Sequence, residues 1–534
     1  MQPAQSDKHT LTHTSPPPLH VIFPFCELFP CMPYFFLYIT SCTLRVPTIE
    51  KHSISDLRCC LLSGVDVRFC KYVLINIDMP LVFNNGVFCR SYYFDEIRSV
   101  IAYHTPSHSV SLFQGDSAEV FWRIFESNGA RHQALDYIQK QGDFQGNPIE
   151  ESKTLLDEFI ESLEEANLLK GPSNRLNTKP LSVSRLVAGT SENNPEQEII
   201  KLMADHHICY SLSLETTYRC NEKCIHCYIP DNSHLTELSI KQIDNLFDEF
   251  VGIGGFHLLL TGGEVGTRKD FGEILELSKK YGLVTSINSN LTCFSESIID
   301  QIIDLHPRTV FCSIYSAQSA LHDSVTRIGG SFERSLATIR RFICAGVPVV
   351  IKTPLMKFTA PYWQEIEALA NELGCGFEID LNITAKNDGG RSPLALRVDD
   401  PIILKEIFSS RHYGISIMNE PIDFFQEHDS DATICGAGVG GLSISPDGAI
   451  HPCIGITEVI GHYPNDSLAK VWQTSPFFSR WEEQKLSGTP CGKCTYLVTC
   501  SKCPGAWHAE NGSYTQPTDY NCFLAKAWFS ACES

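Results

Sequence analysis

Basic residues are scarce in this 534-residue chain, which has 42 Lys and Arg against 62 Asp and Glu and a net charge of -20. No basic block is present to displace counterions from phosphates, so a broad nucleic-acid surface is excluded. A long unbroken apolar run is also lacking, because Glu27 and several prolines interrupt the apolar stretch 21–46. Each proline removes a backbone donor that lipid cannot replace, which argues against a membrane span. The basic start and small-residue cleavage site of a secretory signal are missing as well.

Glycine is nearly absent from residues 1–78, where Gly64 is the single example. This segment shows no sustained helical or alternating pattern. We therefore expect that it is not part of the folded protein and that Met79 is a natural start. The chain has 23 cysteines, and most of the late ones fall in metal-ligand spacings. That usage favours a reducing cytoplasmic location over an oxidising compartment.

A small domain is predicted over residues 90–171. Residues 98–103 and 109–113 alternate like a hairpin, and three amphipathic helices follow, the first capped by Ser117 and the second over 134–139. Strands followed by three helices are typical of a winged-helix-like domain, and a generic helical packing domain is the alternative. The third predicted helix is rich in Asp and Glu, which disfavours DNA binding.

Strands and helices alternate after a predicted linker, 172–206. The predicted strands are 208–214, 256–261, 284–288, 309–314, 349–353 and 377–381. Ser239 with Gln242 forms a capping box at the first intervening helix, and Gly346 ends a later one. The pattern predicts an α/β fold over 207–410, a partial (β/α)6 TIM-like barrel, with its chemistry on loops at the carboxyl ends of the strands.

Three cysteines follow the first predicted barrel strand at the spacing C-x3-C-x2-C: Cys220, Cys224 and Cys227. Thiolates on one tight loop can hold three corners of a cubane iron-sulfur cluster and leave the fourth iron without a protein ligand. A zinc knuckle or a metal-free loop is the alternative. The next strand ends in Gly262-Gly263-Glu264, where glycines permit close approach of a ligand and a carboxylate can pair with an ammonium group.

A second cysteine-rich region covers residues 430–534. Seven cysteines stand in metal-ligand spacings, and Pro446-Asp447-Gly448 predicts a hairpin turn between the first two of them. Two zinc sites are the alternative to iron-sulfur clusters. The seven are Cys435, Cys453, Cys491, Cys494, Cys500, Cys503 and Cys522. Other cysteines lie in apolar runs and are predicted to be core residues, namely Cys209, Cys293, Cys312, Cys344 and Cys375.

Taken together, these motifs resemble radical S-adenosylmethionine (SAM) enzymes with a C-terminal SPASM extension. The start of the first predicted helix, Asp116 to Trp122, and the element order around it resemble a PqqD-like peptide-recognition domain. The resemblance implies a SAM-binding [4Fe–4S] cluster on Cys220, Cys224 and Cys227. It also implies that Gly262, Gly263 and Glu264 hold the methionyl amine of SAM, and that Asn290 and Ser313 contact its ribose or carboxylate.

One or two auxiliary [4Fe–4S] clusters are implied for the C-terminal iron-sulfur domain. In the family arrangement Cys491, Cys494, Cys500 and Cys522 hold one cluster completely. Cys435, Cys453 and Cys503 hold the other, whose last position is open or taken by Cys532. Cys500 and Cys503 are separated by two residues where the usual pattern has three.

The function implied by the resemblance is maturation of a ribosomally made precursor peptide, by thioether or other cross-link formation. The expected partners are a precursor peptide with its leader and a reductant such as flavodoxin or ferredoxin, without nucleic acid or membrane. Four stretches, 313–316, 322–323, 330–333 and 383–389, resemble parts of peptide-acting relatives and line a substrate channel unless they are ordinary loop and helix-start residues. Alternatives are a peptide epimerase, a formylglycine-forming sulfatase maturase and a non-catalytic iron-sulfur peptide-binding protein.

Overall fold

The structure is a computed structural model and describes residues 81–170 apart from 95, 108, 143, 145 and 146, together with 195–230, 235–410 and 431–532. The predictions for residues 1–78 and for the linker up to residue 194 lie outside the described residues. Within the described ranges, no helix is both long and apolar enough to cross a membrane.

The N-terminal part of the described chain is a three-stranded antiparallel sheet followed by three helices. The strands are β1 (Val87–Phe94), β2 (Ile97–His104) and β3 (Ser109–Gln114), in the order β1-β2-β3. The helices are α1 (Asp116–Glu126), α2 (His132–Gln141) and α3 (Pro148–Glu165). The predicted hairpin and the three helices are confirmed, whereas β1 was not predicted.

One detail of the predicted helix α1 is wrong. The residue before the helix is Gly115, which has no side chain to cap it. The Ser117 hydroxyl instead donates to the carbonyl of Gln114 at 2.9 Å. The serine therefore lies in the first turn and hydrogen-bonds backwards to the strand.

Both faces of this small sheet are buried. Val100, Ala102 and Phe113 pack against the three helices, and Ile101 and Tyr103 pack on the opposite face against the start of the following domain. Side chains alternate between the two faces of a strand, so β2 contributes to two cores at once. A further helix, α4 (Pro195–Asp205), lies within the segment predicted as a linker and buries Ile199 and Met203 in the second core.

Six parallel strands form the central sheet, and helices connect them. In sheet order they are β4 (Ser211–Thr217), β5 (His257–Gly262), β6 (Val284–Asn288), β7 (Thr309–Ser313), β8 (Val349–Pro354) and β9 (Gly376–Asp380). The helices are α5 (Ile240–Gly252), α6 (Phe271–Lys280), α7 (Glu296–Leu305), α8 (Ser319–Thr326), α9 (Ser331–Cys344), α10 (Trp363–Leu373) and α11 (Pro401–Phe408). β4 and β9 do not pair, so the predicted open barrel is confirmed.

The capping predictions in the barrel are confirmed. Ser239 and Gln242 form a capping box at α5, and Gly346 after α9 has a φ of 76°, a left-handed conformation that glycine adopts without steric cost. The cysteines predicted to be core residues differ in exposure: Cys209 and Cys312 are buried, whereas Cys344 is exposed at the end of α9. The prediction for Cys344 is wrong because its side chain points away from the apolar stripe.

The C-terminal region extends the same sheet. β10 (Gly441–Ile444) pairs parallel with β4, and β11 (Ala449–His451) and β12 (Gly461–His462) continue it in antiparallel fashion. Gly448 has a φ of 90°, and its N–H donates to the Ser445 carbonyl at 2.9 Å, as the predicted hairpin turn requires. The helices that follow are α12 (Leu468–Thr474), α13 (Pro476–Glu482), α14 (Pro504–Asn511) and α15 (Asp519–Cys532).

Candidate active site

The three-cysteine loop begins immediately after β4, at the carboxyl edge of the sheet. Cys220, Cys224 and Cys227 are all half-buried. Burial raises the pKa of each thiol, and Cys220 and Cys227 both raise the pKa of Cys224 further through their charge. The three thiols are thus close enough for their charges to influence one another.

The donor set of this loop fits a cluster of soft iron ions. Burial raises the pKa of Cys220 to about 11, so the loop carries neutral thiols until a metal displaces their protons. In the part of the chain that the structure describes, no three His, Cys, Asp or Glu side chains lie close enough to hold a single metal ion. A cubane has no such requirement, because each thiolate binds a different iron.

The backbone of the Gly262-Gly263-Glu264 turn at the end of β5 holds the cysteine loop in place. Gly263 N–H donates to the Thr217 carbonyl at 2.7 Å, and Glu264 N–H donates to the Arg219 carbonyl at 2.9 Å. A Cβ at Gly263 would lie 2.5 Å from the Arg219 carbonyl oxygen, and one at Gly262 would lie 2.3 Å from that of Thr217. The sequence predicted glycine here for close approach of a ligand, but the backbone that approaches is that of the cysteine loop.

Glu264 is almost completely buried, with 1% of its surface exposed. Its carboxylate accepts hydrogen bonds from Gly266 N–H at 3.0 Å, Ser289 Oγ at 2.7 Å and Asn290 N–H at 2.7 Å. Burial raises its pKa, and these three donors oppose that shift. The carboxylate is therefore fixed in one orientation between the ends of β5 and β6.

Asn290 joins Glu264 to the cysteine loop. Its backbone N–H bonds Glu264, and its side-chain Nδ2 donates to Asn221 Oδ1 at 2.9 Å. Asn221 lies next to Cys220 and donates in turn to Thr292 Oγ1 at 2.7 Å. The structure thus brings Asn290 beside the predicted cluster ligands.

Ser313 reaches the same loop through one neighbour. Its side chain lowers the pKa of Tyr315, against the larger effect of burial, and the Tyr315 hydroxyl donates to Cys224 Sγ at 3.7 Å. Sequence reasoning missed Tyr315 as a contact of the loop. The signal that could have found it is its place two residues beyond the end of β7, at the edge where the chemistry was expected.

Glu222 was also missed. It lies between two cysteines of the loop, is 4% exposed, and has one oxygen without a hydrogen-bond partner. Its other oxygen accepts from Cys224 Sγ at 3.5 Å. Burial raises the pKa of Glu222 to about 7.

Some residues expected in a substrate channel have an ordinary role instead. Asp323 accepts from the N–H groups of Gly330 and Phe332 and from Ser331 Oγ, at 2.6 to 3.0 Å. Asp323 therefore stabilises the start of α9, which is the ordinary helix-start role given above as the alternative to lining a substrate channel. Asn387 and Asp388, by contrast, line a cavity at the carboxyl edge of the sheet.

The seven C-terminal cysteines form two separate groups. In the first, Cys435 and Cys503 both raise the pKa of the Cys453 thiol through their charge. In the second, Cys491, Cys494 and Cys522 all raise the pKa of Cys500, whose value reaches about 12 chiefly through burial. Two auxiliary clusters held by these two sets of cysteines stay a prediction.

Cys532 does not join the first group. It is exposed at the end of α15; burial raises the pKa of its thiol and a hydrogen bond with Trp528 opposes that shift, and no other cysteine contributes. The first group is shaped by two facing glycines: a Cβ at Gly505 would lie 1.9 Å from the Gly455 carbonyl oxygen, and one at Gly455 would lie 3.6 Å from Cys503 Sγ.

Comparison with known proteins defines the class of this chain. Residues 214–373 match the radical SAM superfamily, and residues 435–504 match the SPASM iron-sulfur cluster-binding domain. The chain therefore contains a radical SAM domain and a SPASM domain. The first domain implies a [4Fe–4S] cluster and SAM, and the second implies auxiliary iron-sulfur clusters.

Individual relatives are distant. An AdoMet-dependent heme synthase of Methanosarcina barkeri is 25% identical over 331 residues, which cover 58% of this chain and 95% of the relative. A PqqA peptide cyclase of Methylocella silvestris is 24% identical over 295 residues, which cover 53% and 79%. The crystal structure of Streptococcus suis SuiB has the same fold, with a TM-score of 0.51 and 16% identity over 83% of this chain and 99% of SuiB.

Proposed function

We propose that this protein is a radical SAM peptide maturase, which modifies a ribosomally made precursor peptide by forming a thioether or another cross-link. The observation that carries the proposal is the convergence of three thiols with the Gly262-Gly263-Glu264 turn at the carboxyl edge of the barrel. When bound, the cluster and SAM supply a 5′-deoxyadenosyl radical that abstracts hydrogen. The chain's own residues orient and enclose that chemistry.

In this proposal Cys220, Cys224 and Cys227 hold the SAM-binding cluster. Glu264 accepts the methionyl ammonium of SAM, because its carboxylate is buried, fixed and adjacent to the loop. Asn290 and Ser313 supply polar contacts to the rest of SAM from the ends of β6 and β7. A reductant such as flavodoxin or ferredoxin delivers the electron.

The auxiliary sites have different roles. Cys491, Cys494, Cys500 and Cys522 complete one cluster. Cys435, Cys453 and Cys503 provide three ligands to the other and leave a position for the sulfur of a substrate cysteine, which favours thioether formation. Cys532 has no part in it.

The N-terminal sheet supports recognition of a leader peptide by a PqqD-like domain over residues 90–171. In the order β1-β2-β3 the two outer strands each have one edge unpaired within that sheet. Unpaired N–H and C=O groups accept an added strand, and the neighbouring helices offer side-chain pockets.

A first experiment tests the radical chemistry. Reconstituted protein reduced with dithionite should release 5′-deoxyadenosine from SAM, and Cys220→Ala, Cys224→Ala and Cys227→Ala should each abolish release. Cys344→Ala is the matched control, because that thiol is exposed on the far side of α9 and should not change release. Zinc in the three-cysteine loop, or no release by the unaltered protein, would refute the proposal.

A second experiment separates the products. A cysteine-containing peptide encoded beside the gene should lose two hydrogens when it is cross-linked. No mass change with deuterium uptake from solvent would identify an epimerase instead, and an aldehyde in place of a thiol or hydroxyl would identify a formylglycine-forming maturase. Similarity to the M. barkeri protein favours heme synthesis as a second candidate, which heme formation from a porphyrin precursor without peptide would reveal.

A further inference from the structure

A cavity of about 490 Å³ opens between the barrel and the C-terminal domain. Glu215 at the end of β4 and Tyr218 of the cysteine loop form one wall, and Asn387 and Asp388 after β9 form another. The hairpin of β10 and β11 closes it with Ser443, Ser445, Asp447 and His451. Its size suits one or two side chains of a bound peptide.

This cavity lies between the two proposed reaction centres. Tyr218 stands two residues before Cys220, and Ile454 and Ile456 follow Cys453 of the first auxiliary group by one and three residues. A side chain bound here is adjacent both to the SAM site and to the auxiliary site. The groups that line the cavity therefore select what is presented to the radical.

The charged lining is acidic. Glu215, Asp388 and Asp447 line the cavity, and its described lining residues include no Lys or Arg. Glu215 is only 5% exposed, and its pKa is raised to about 7 by burial and by the charge of Asp447, against a hydrogen bond from Tyr218. Because Glu215 and Asp447 line the same cavity, a cation bound there would interact favourably with both carboxylates.

A second, independent feature points to a ligand. Ser443 is 1% exposed, lines the cavity and has no hydrogen-bond partner for its hydroxyl. Buried hydroxyls are nearly always paired, so an unpaired one facing a cavity is available to a bound group. Apolar side chains stand nearby in the same wall, including Leu235, Ile456 and Val459.

We propose that this cavity binds a cationic side chain of the substrate, an ammonium or a guanidinium, whose charge is met by Glu215 and Asp447 and whose N–H donates to Ser443. The apolar stem of a lysine or arginine packs against the isoleucine and valine side chains, because such residues combine an apolar stem with a charged end. The inference rests on the proposed function and names a substrate feature for it: a basic residue next to the residue that is modified.

The test is binding of N-acetyl-lysine methylamide to the full-length reconstituted protein, measured by isothermal titration calorimetry. N-acetyl-norleucine methylamide, which keeps the stem and lacks the charge, is the reference ligand. The same titrations are made with Glu215→Gln and Asp447→Asn. Glu406→Gln is the matched control, because Glu406 is an exposed carboxylate on α11 away from the cavity. Circular dichroism verifies that each variant is folded.

The lysine probe is expected to bind at least about tenfold more tightly than the norleucine probe, because only lysine can form a charge-assisted hydrogen bond in the cavity. That preference should be lost in both cavity variants and kept in Glu406→Gln. Equal binding of the two probes, no binding of either, or a preference unchanged by the cavity variants would overturn the inference. Release of 5′-deoxyadenosine, measured separately on the unaltered protein, decides the proposed function by itself.

Discussion

Replacing Gly263 by alanine should displace the cysteine loop, and the structure allows the effect to be sized. The added Cβ would lie 2.5 Å from the Arg219 carbonyl oxygen and 2.7 Å from that of Tyr218. Both atoms belong to the backbone, so no side-chain rotation relieves the contact. Overpacking of this kind costs about 1–3 kcal/mol.

The same displacement weakens the two backbone hydrogen bonds that Gly263 and Glu264 donate to the loop. Each contributes about 1 kcal/mol, so the expected loss of unfolding free energy is about 2–4 kcal/mol. Because Arg219 directly precedes Cys220, we also expect reduced iron at the SAM-binding site and loss of 5′-deoxyadenosine release.

Urea denaturation and iron analysis of Gly263→Ala measure both effects. Gly252→Ala is the matched control, since a Cβ there meets nothing within 4 Å. The reasoning fails if Gly263→Ala unfolds within about 0.5 kcal/mol of that control and keeps its full iron content.

Three further predictions concern other parts of the site. Gly505→Ala should lower the iron and sulfide content by one auxiliary cluster while SAM cleavage continues, because its Cβ would lie 1.9 Å from the Gly455 carbonyl oxygen. Gly488→Ala is the control, since it has open space around it and should keep the full iron and sulfide content. Arg397→Met should lower the free energy of unfolding in urea by about 3–5 kcal/mol. It leaves the Glu510 carboxylate of α14 without its guanidinium partner, which lies at 2.5 Å, and both side chains are only 13% exposed. Unchanged stability would show that this pair does not hold the C-terminal domain on the barrel. Glu215, whose pKa is raised to about 7, binds its proton more tightly in the folded state, so its contribution to stability is greatest at acidic pH and is lost as pH rises from about 4 to 7. Glu215→Gln should remove that part of the pH dependence and be more stable at pH 8 by up to about 3 kcal/mol, and parallel stability curves for the variant and the unaltered protein would contradict this assignment.

The strands of the barrel could be predicted because parallel strands buried on both faces are nearly continuous apolar runs. Residues 284–288 were predicted with the bounds that the structure has. β1 was missed, because Val87–Phe94 mixes apolar residues with Arg90 and Ser91 and shows no clean alternation. Its partners come from β2 and from the barrel, which local sequence does not reveal.

The expected ligands of the site could be predicted from the spacing of the residues, whereas the hydrogen bonds that support those ligands could not. Cysteine spacing and the Gly262-Gly263-Glu264 motif identified the expected ligands. The pairing of Ser289 with Glu264, or of Tyr315 with Cys224, depends on which strands are neighbours in the sheet. Side chains from different strands meet only after folding, so a linear pattern carries no sign of them.

The small N-terminal sheet is attached to the loops that precede the barrel strands. Arg90 donates to the Tyr281 carbonyl before β6, Tyr92 donates to Gly254 before β5, and Thr105 donates to His306 before β7. The cysteine loop is at the opposite end of β4, whose seven residues span about 23 Å. In the proposed function, a leader peptide held by that sheet must therefore extend over the length of a barrel strand to reach the cysteine loop. On that proposal, the first seven or so extended residues beyond the held segment do not reach the cysteine loop, so their number limits which residue of the peptide can be modified.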